Sequence, residues 1–179
     1  MVLYLSEVYP LVEVATGNVG LPRHHPGRLL SHQLDECDSQ TPAMMNLHIV
    51  SPDSPHEPWA VVESDALIGL VCVTVDEDNR NGWFWYWMTD RARDRGVMSR
   101  AATTVAEWAL AERGLERLEL GHRVNNPASG VVARRVGFVK ERTQRQKFLI
   151  DGERLDVDTY GRLKTDPHPA FDPLPMVTR

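Results

Sequence analysis

Cysteine is scarce in this chain. Only Cys37 and Cys72 occur in 179 residues, too few for a disulfide framework or a thiolate metal cluster. A reduced, cytoplasmic setting is the simplest expectation. No run approaches the ~18 uninterrupted apolar residues that cross a bilayer. Met1 to Pro10 lacks the basic start and long apolar core of a signal peptide. Positive charge is not in excess either, since the net charge is −5. That argues against a dedicated nucleic-acid binder, which would be basic. There is no internal repeat. What is present is an ordinary folded composition, 42% hydrophobic and 25% charged. The length suits one domain that buries roughly 70% of its unfolded surface.

Three zones differ in composition. Residues 1–58 are punctuated by Pro22, Pro26, Pro42, Pro52, Pro55 and Pro58. A strand within Val2 to Val14, interrupted at Pro10, and a helix within His24 to Cys37 are expected there. Residues 59–163 are more regular. Strands are expected at Trp59–Val62, Leu67–Val75 and Trp83–Thr89, with a turn at Asp65-Ala66 and a polar loop from Asp76 to Gly82. A helix follows at Ser99–Arg113, with Ala101, Val105, Trp108 and Ala109 on one face and Gly114 at its end. Next come a strand at Leu115–Gly121 and a second helix opened by Asn126-Pro127 and closed by Gly137. A hairpin, Phe138–Ile150 and Arg154–Leu163, turns at Asp151-Gly152. The pattern predicts an α+β fold, a mixed sheet flanked by helices. The tail from Lys164 carries Pro167, Pro169, Pro173 and Pro175. It is expected to form neither helix nor central strand and to lie disordered or draped on another surface.

The segment Arg91-Ala-Arg-Asp-Arg-Gly-Val-Met-Ser-Arg100 links a strand to a helix. A helix start offers free N–H groups and partial positive charge to phosphate oxygens. Gly96 permits close approach, and Arg91, Arg93, Arg95 and Arg100 supply guanidinium groups. The loop is neither a Walker loop nor G-x-G-x-x-G. The bland alternative is a solvated arginine-rich loop.

Arg93-x-x-Gly96-x-Met98 resembles the pyrophosphate loop Arg/Gln-x-x-Gly-x-Gly/Ala of the GNAT superfamily of acyl-CoA N-acyltransferases, with Met98 replacing the last small residue. Tyr86-Trp87-Met88, Ala101-Ala102, Asn125-Asn126-Pro127-Ala128-Ser129, Arg135-Val136-Gly137-Phe138, Glu141, Asp151-Gly152 and Asp158-x-Tyr160 resemble its RimJ/RimL-like branch. The resemblance covers residues 59–163. It implies one domain over residues 1–165, a divergent acceptor-side segment at 1–58 and a tail at 166–179. It also implies a mostly antiparallel sheet splayed at the CoA site.

The resemblance further implies roles. The CoA pyrophosphate would lie on Arg93, Asp94, Arg95, Gly96, Val97, Met98, Ser99 and Arg100. The backbone of Met88 and Thr89 would pair with the pantetheine arm, and Asn125 and Asn126 would contact it. The Met88 N–H would polarise the thioester carbonyl, and Ser129 would return a proton to the leaving thiolate. A base for the amine is expected among Asp76, Glu77, Asp90, Glu141 and His122, with Glu141 first. Catalysis by positioning alone is the alternative.

Trp83, Trp85 and Trp87 alternate with Phe84, Tyr86 and Met88, so the three tryptophans share a face. Trp83 and Trp85, with His122, are candidate acceptor-binding residues; core packing beneath the helices is the favoured alternative. His24, His25 and His32 lack companions at metal-ligand spacing, so no metal is expected. Cys72 reads as inert core, and Cys37 has no nameable catalytic partner. Arg142, Arg145 and Lys147 form a basic run on an exposed strand face, suited to an acidic partner or the CoA 3′-phosphate.

The leading expectation is transfer from acetyl-CoA, or another short acyl-CoA, to a primary amine on a protein or small molecule, without nucleic acid or membrane. A homodimer is left open. The competing expectation is a non-catalytic CoA-binding or partner-binding module of the same fold.

Overall fold

The computed structural model describes residues 1–5, 54–64, 66–150 and 152–177. The expected helix at His24–Cys37, most of the first expected strand, Asp65 and Asp151 lie outside them. Strand β1 spans Val2–Leu5. Strands β2 (His56–Glu63), β3 (Ala66–Asp76) and β4 (Asn81–Met88) form an antiparallel meander. A short 3-10 turn, Asp90–Ala92, leads to α1, Val97–Ala111. Then come β5 (Arg117–Arg123), α2 (Pro127–Arg135), β6 (Val139–Ile150) and β7 (Glu153–Leu163). Met176–Val177 is a final short strand, β8. The eight strands run β6-β7-β5-β4-β3-β2-β1-β8 across one sheet. Only β4–β5 and β1–β8 are parallel among the pairings, so the sheet is mixed and mostly antiparallel, as the sequence predicts. Among the described residues no helix is long and apolar enough to cross a membrane.

The main core lies between the sheet and the helices. Helix α1 presents Ala101, Ala102, Val105, Ala106 and Ala109 to Trp59, Val61, Val71, Val73, Phe84 and Leu118. Four alanines on that face let the backbone lie close to the strands, where larger side chains would hold it off. Trp108 meets Trp59 edge-on, with ring centroids 4.9 Å apart. The alternation along β4 is as expected, but the side is not. Phe84, Tyr86 and Met88 face the helices, whereas Trp85 and Trp87 join Leu70 and Cys72 in a separate cluster, with Trp83 packed against it. The tryptophans pack as core, on the face away from α1 and α2. Cys72 is completely buried there, and burial pushes its thiol well above its ordinary value.

The proline-rich tail crosses α1. Leu174 is buried in the main core, and its N–H donates to Thr104 Oγ1 at 3.0 Å. Arg100 donates to the Asp172 carbonyl at 2.5 Å, to the Pro173 carbonyl at 3.3 Å and to the Asp172 carboxylate. After Pro175 the chain pairs with β1 as an edge strand, a place where proline nearby removes no needed donor. Beneath the tail, fully buried Arg162 of β7 is ion-paired with Glu107 of α1, which also contacts His168 Nδ1 at 2.6 Å.

Burial alone would raise the Glu107 carboxyl, but the bonds and charges of Arg162 and His168 outweigh it and hold the group below 4.5. A depressed carboxyl adds stability above its unfolded value and loses it as pH falls through the folded one. Glu107→Gln should therefore cost about 3 kcal/mol at neutral pH, the lower range for orphaning a buried charge. Urea titrations should show the gap from the native chain narrowing as pH falls below 4.5.

Candidate active site

Gly96 precedes α1 with φ 71°, a left-handed conformation that favours glycine. A Cβ placed on it would meet nothing within 4 Å, so its outer side is open. The N–H groups of the first turn of α1 have no intrahelical partner. Among the described residues no side chain caps them, and no acidic residue sits in that turn. The positive end of α1 is thus left to an external anion. The departure at Met98 is explained by packing. Met98 is buried, with Cε 3.3 Å from where a Cβ on Gly69 of β3 would be. Its side chain fills the space that this glycine leaves.

The arginines of the loop part company. Arg93 pairs with Asp90 at 3.1 Å. Arg95 forms a two-pronged pair with Glu63 at 2.9 and 2.7 Å, which holds that exposed carboxyl below its ordinary value. Arg100 is turned to the tail. Of these, Arg93 borders the cleft described next, together with Arg123 and Arg135. Sequence reasoning did not select those last two as site residues: Arg135 entered only as part of the resemblance, and nothing in the local pattern marks Arg123.

Strands β4 and β5 pair only through Asn81↔Arg117, Gly82↔Leu118 and Trp83↔Glu119, and then diverge. Beyond the last pair the Trp83 ring lies over Gly121, 3.3 Å from where a Cβ would stand. The opening is a cleft of about 500 Å³. Phe84 to Met88 and Leu120 to Arg123 form its walls, and Gly96 to Ser99, Asn126 and Ser129 line its mouth. Thr89 donates both its N–H and its hydroxyl to the Ile68 carbonyl, at 2.9 and 3.1 Å. The Thr89 N–H is therefore engaged toward β3. Alternate residues of a strand present their backbone to opposite neighbours, so Met88 turns its N–H to the open side.

Across the opening, Tyr86 donates its hydroxyl to the Ser129 carbonyl at 3.0 Å. Burial pushes the Tyr86 phenol well above its ordinary value despite that bond, so it stays protonated. Asn126 Oδ1 accepts the Ser129 N–H at 3.3 Å as the cap of α2. Asn125 is exposed and lies outside the cleft lining.

His122 borders the cleft but is packed. Its Nδ1 lies 2.8 Å from the Arg123 carbonyl and so carries a hydrogen. In the neutral ring, Nε2 is left to accept from Tyr160 at 3.3 Å, and the two rings stack with centroids 5.3 Å apart. Gly130 makes room, since a Cβ there would lie 2.9 Å from Nε2. Glu141 is placed differently from the other candidates. It accepts twice from Arg117, both at 2.8 Å, while Arg117 also holds Glu119 at 2.8 Å. It lines a smaller pocket of about 80 Å³ with Trp83, and Leu120 borders both this pocket and the cleft.

Trp85 borders the cleft and donates to Thr74 Oγ1 at 3.3 Å. Asp76 accepts from Asn79 and Glu77 pairs with Arg113, so both belong to the β3–β4 turn region. Cys37, His24, His25 and His32 lie outside the described residues. Among the described residues no group of three or more His, Cys, Asp or Glu side chains is arranged to hold a metal ion.

Residues 23–139 match the acetyltransferase (GNAT) domain family. The match begins well before residue 59, where the sequence reading placed it, and stops before most of the β6–β7 hairpin. A ribosomal-protein-serine acetyltransferase of Escherichia coli is 27% identical over 106 residues, 59% of each chain. A Bacillus subtilis relative is 26% identical over 102 residues, 56% of each chain. The chain thus spans little more than half the length of the curated relatives it matches. In fold it resembles a spermidine N-acetyltransferase from Vibrio cholerae, with TM-score 0.61 and 22% identity over 69% of this chain and 73% of that one. It also resembles the RimL ribosomal alpha-N-protein acetyltransferase in complex with coenzyme A, with TM-score 0.58 and 24% identity over 60% of this chain and 62% of that one.

The Tyr86 contact joins the β4 wall of the cleft to α2 at its mouth. Tyr86→Phe should lower stability by about 1 kcal/mol, the net worth of one hydrogen bond, read from the urea midpoint.

Proposed function

The chain belongs to the acetyltransferase (GNAT) domain family, and on that premise we propose that it transfers a short acyl group, most simply acetyl, from a CoA thioester to a primary amine. The observation that carries this reading is the divergence of β4 from β5 directly in front of an uncapped helix N-terminus. The amides of Val97, Met98 and Ser99, with Arg93, would hold the pyrophosphate, and Gly96 leaves that space clear. Arg123 and Arg135 add positive charge to the walls. Asn126 has its Oδ1 engaged in the cap, so its amide nitrogen is the group free to contact the pantetheine arm.

The chemistry follows from the groups at the splay. A neutral amine attacks the thioester carbonyl, the C–N bond forms and the C–S bond then breaks. The Met88 N–H, turned to the opening, stabilises the oxyanion between those steps. Ser129 gives its hydroxyl proton to the thiolate and regains one from solvent. Glu141 takes the proton that the amine sheds, through water, from the pocket that shares Leu120 with the cleft. His122, with both ring nitrogens engaged, shapes the wall. The ribosomal-protein acetyltransferases among the relatives favour a protein amine as acceptor. The reading includes a cytoplasmic location, in keeping with the free, buried thiol of Cys72.

Acetyl-CoA at 100 times its dissociation constant should add ~2.7 kcal/mol, a rise in melting temperature of roughly 5–11 °C. Gly96→Glu should abolish that rise by placing a carboxylate in the phosphate space. Gly96→Ala, which shares the backbone strain without the charge, should keep most of it. An unshifted Gly96→Glu response would overturn the loop assignment. Ser129→Ala should lower kcat by about a hundredfold with little change in acetyl-CoA affinity, measured by single-turnover transfer to a peptide amine.

A further inference from the structure

Strand β6 closes one side of the sheet and, among the described residues, pairs only with β7. Its register against β7 breaks between Gln144 and Phe148. Arg145, Gln146 and Lys147 stand off there, and Gln146 has φ 51°, the left-handed region that a non-glycine residue seldom adopts. The bulge is pinned rather than frayed. The Gln146 N–H donates to Asp156 Oδ1 at 2.8 Å, and the Gln146 carbonyl accepts from Arg154 at 3.4 Å. A bulge fixed by its partner strand re-aims side chains.

The cations on the bulge and just before it are unmatched among the described residues. Arg142, Arg145 and Lys147 are exposed, and their side chains have no ion pair or hydrogen bond among the described residues. The acids nearby are already engaged: Glu141 by Arg117, Asp158 by Lys140 and Asp156 by Gln146. By contrast Arg80, Arg95, Arg100, Arg113, Arg117 and Arg162 all sit on carboxylates. Two such cations on the bulge and a third, Arg142, on the paired strand just before it concentrate positive charge in a chain of net charge −5. The bulge also reaches both openings. Phe148 borders the cleft, while Arg142, Gln144 and Lys147 line the smaller pocket beside Glu141. In that pocket Trp83 Nε1, a donor, and Gln144 Oε1, an acceptor, are buried without partners. A peptide group supplies the complement of both.

We propose that the β6 bulge docks an acidic segment of the protein acceptor, with Arg142, Arg145 and Lys147 holding its carboxylates while its backbone enters the pocket of Trp83 and Gln144. This deepens the acyltransferase reading and rests on it for the identity of the occupant, though not for the binding itself. The competing use of such charges is protection of a free strand edge against self-pairing.

Fluorescence anisotropy on the full chain tests it, with two peptides that have free N-termini and differ only in Asp/Glu against Asn/Gln. The acidic peptide should bind at least tenfold more tightly, and the advantage should shrink as salt rises from about 0.05 to about 0.3 M. Combining Arg142→Ser, Arg145→Ser and Lys147→Ser should erase the advantage without altering the thermal shift by acetyl-CoA. Arg145→Glu alone should reduce it severalfold. Equal binding of the two peptides, or native-like binding by the triple variant, would overturn the proposal. So would a loss of acetyl-CoA affinity in that variant, which would assign the cations to the cosubstrate. Single-stranded RNA binding through these residues in place of the peptide would overturn it too. Acidic-peptide binding by a native chain that shows no thermal shift with acetyl-CoA would sink the acyltransferase reading and leave the docking surface standing.

Discussion

The molecule turns on a pairing that stops early. Two parallel strands side by side gain by continuing their ladder, since each backbone group left unpaired away from water is costly. Here β4 and β5 abandon the ladder after Trp83↔Glu119. The Trp83 ring sits over Gly121 where β5 begins to part from it. Beyond that point β4 is held by other partners: Tyr86 reaches the Ser129 carbonyl on α2, and Thr89 ties the end of β4 back to β3. The outcome is a strand with one side satisfied and one side open, facing a helix whose first amides are also open. Both open sets border the same cleft, and under the proposed reading one extended, phosphate-bearing ligand would answer both.

Much of this was legible because it depends on local chemistry. The β-branched run of β3, the Asn126-Pro127 start of α2 and the glycine before α1 each carry a conformational preference in their own letters. The loop, the two helices and the closing hairpin follow from such preferences. What was not legible depends on partners far away in sequence. No pattern in Arg91 to Arg100 says that Arg95 will turn to Glu63 and Arg100 to Asp172. The side taken by the tryptophans was missed for a related reason. Alternation groups Trp83, Trp85 and Trp87 on one face but does not say which face the helices cover. The tail was legible only as a prohibition. Its prolines exclude helix, yet its anchoring comes from Leu174 in the core and from His168 on Glu107.

The engaged arginines are not thereby removed from ligand binding. Arg95 with Glu63, and Arg100 with Asp172, are largely exposed pairs, and such pairs are worth about 0–1 kcal/mol. A phosphate group bearing more charge and more acceptor oxygens competes on favourable terms. Arg162 is the contrasting case. It is fully buried, so its bond to Glu107 is structural, and exchanging that partner would strand a charge. Burial, more than the presence of a carboxylate, separates the arginines a ligand can recruit from those it cannot.

The same reasoning explains how a loop can depart from its family pattern and keep its geometry. A small residue after the glycine suits a loop whose backbone must face a ligand, but such a ligand would contact the amide, and the side chain needs only somewhere else to go. Met98 goes down into the core, and it fits because Gly69 on β3 presents no Cβ. A side chain at Gly69 would meet the Trp87 carbonyl at 2.8 Å as well as Met98. Met98 and Gly69 therefore act as one unit: the large residue in the loop is permitted by the missing one in the strand. A motif compared letter by letter records a defect at Met98, whereas the packing records a compensated exchange that leaves the helix N-terminus open.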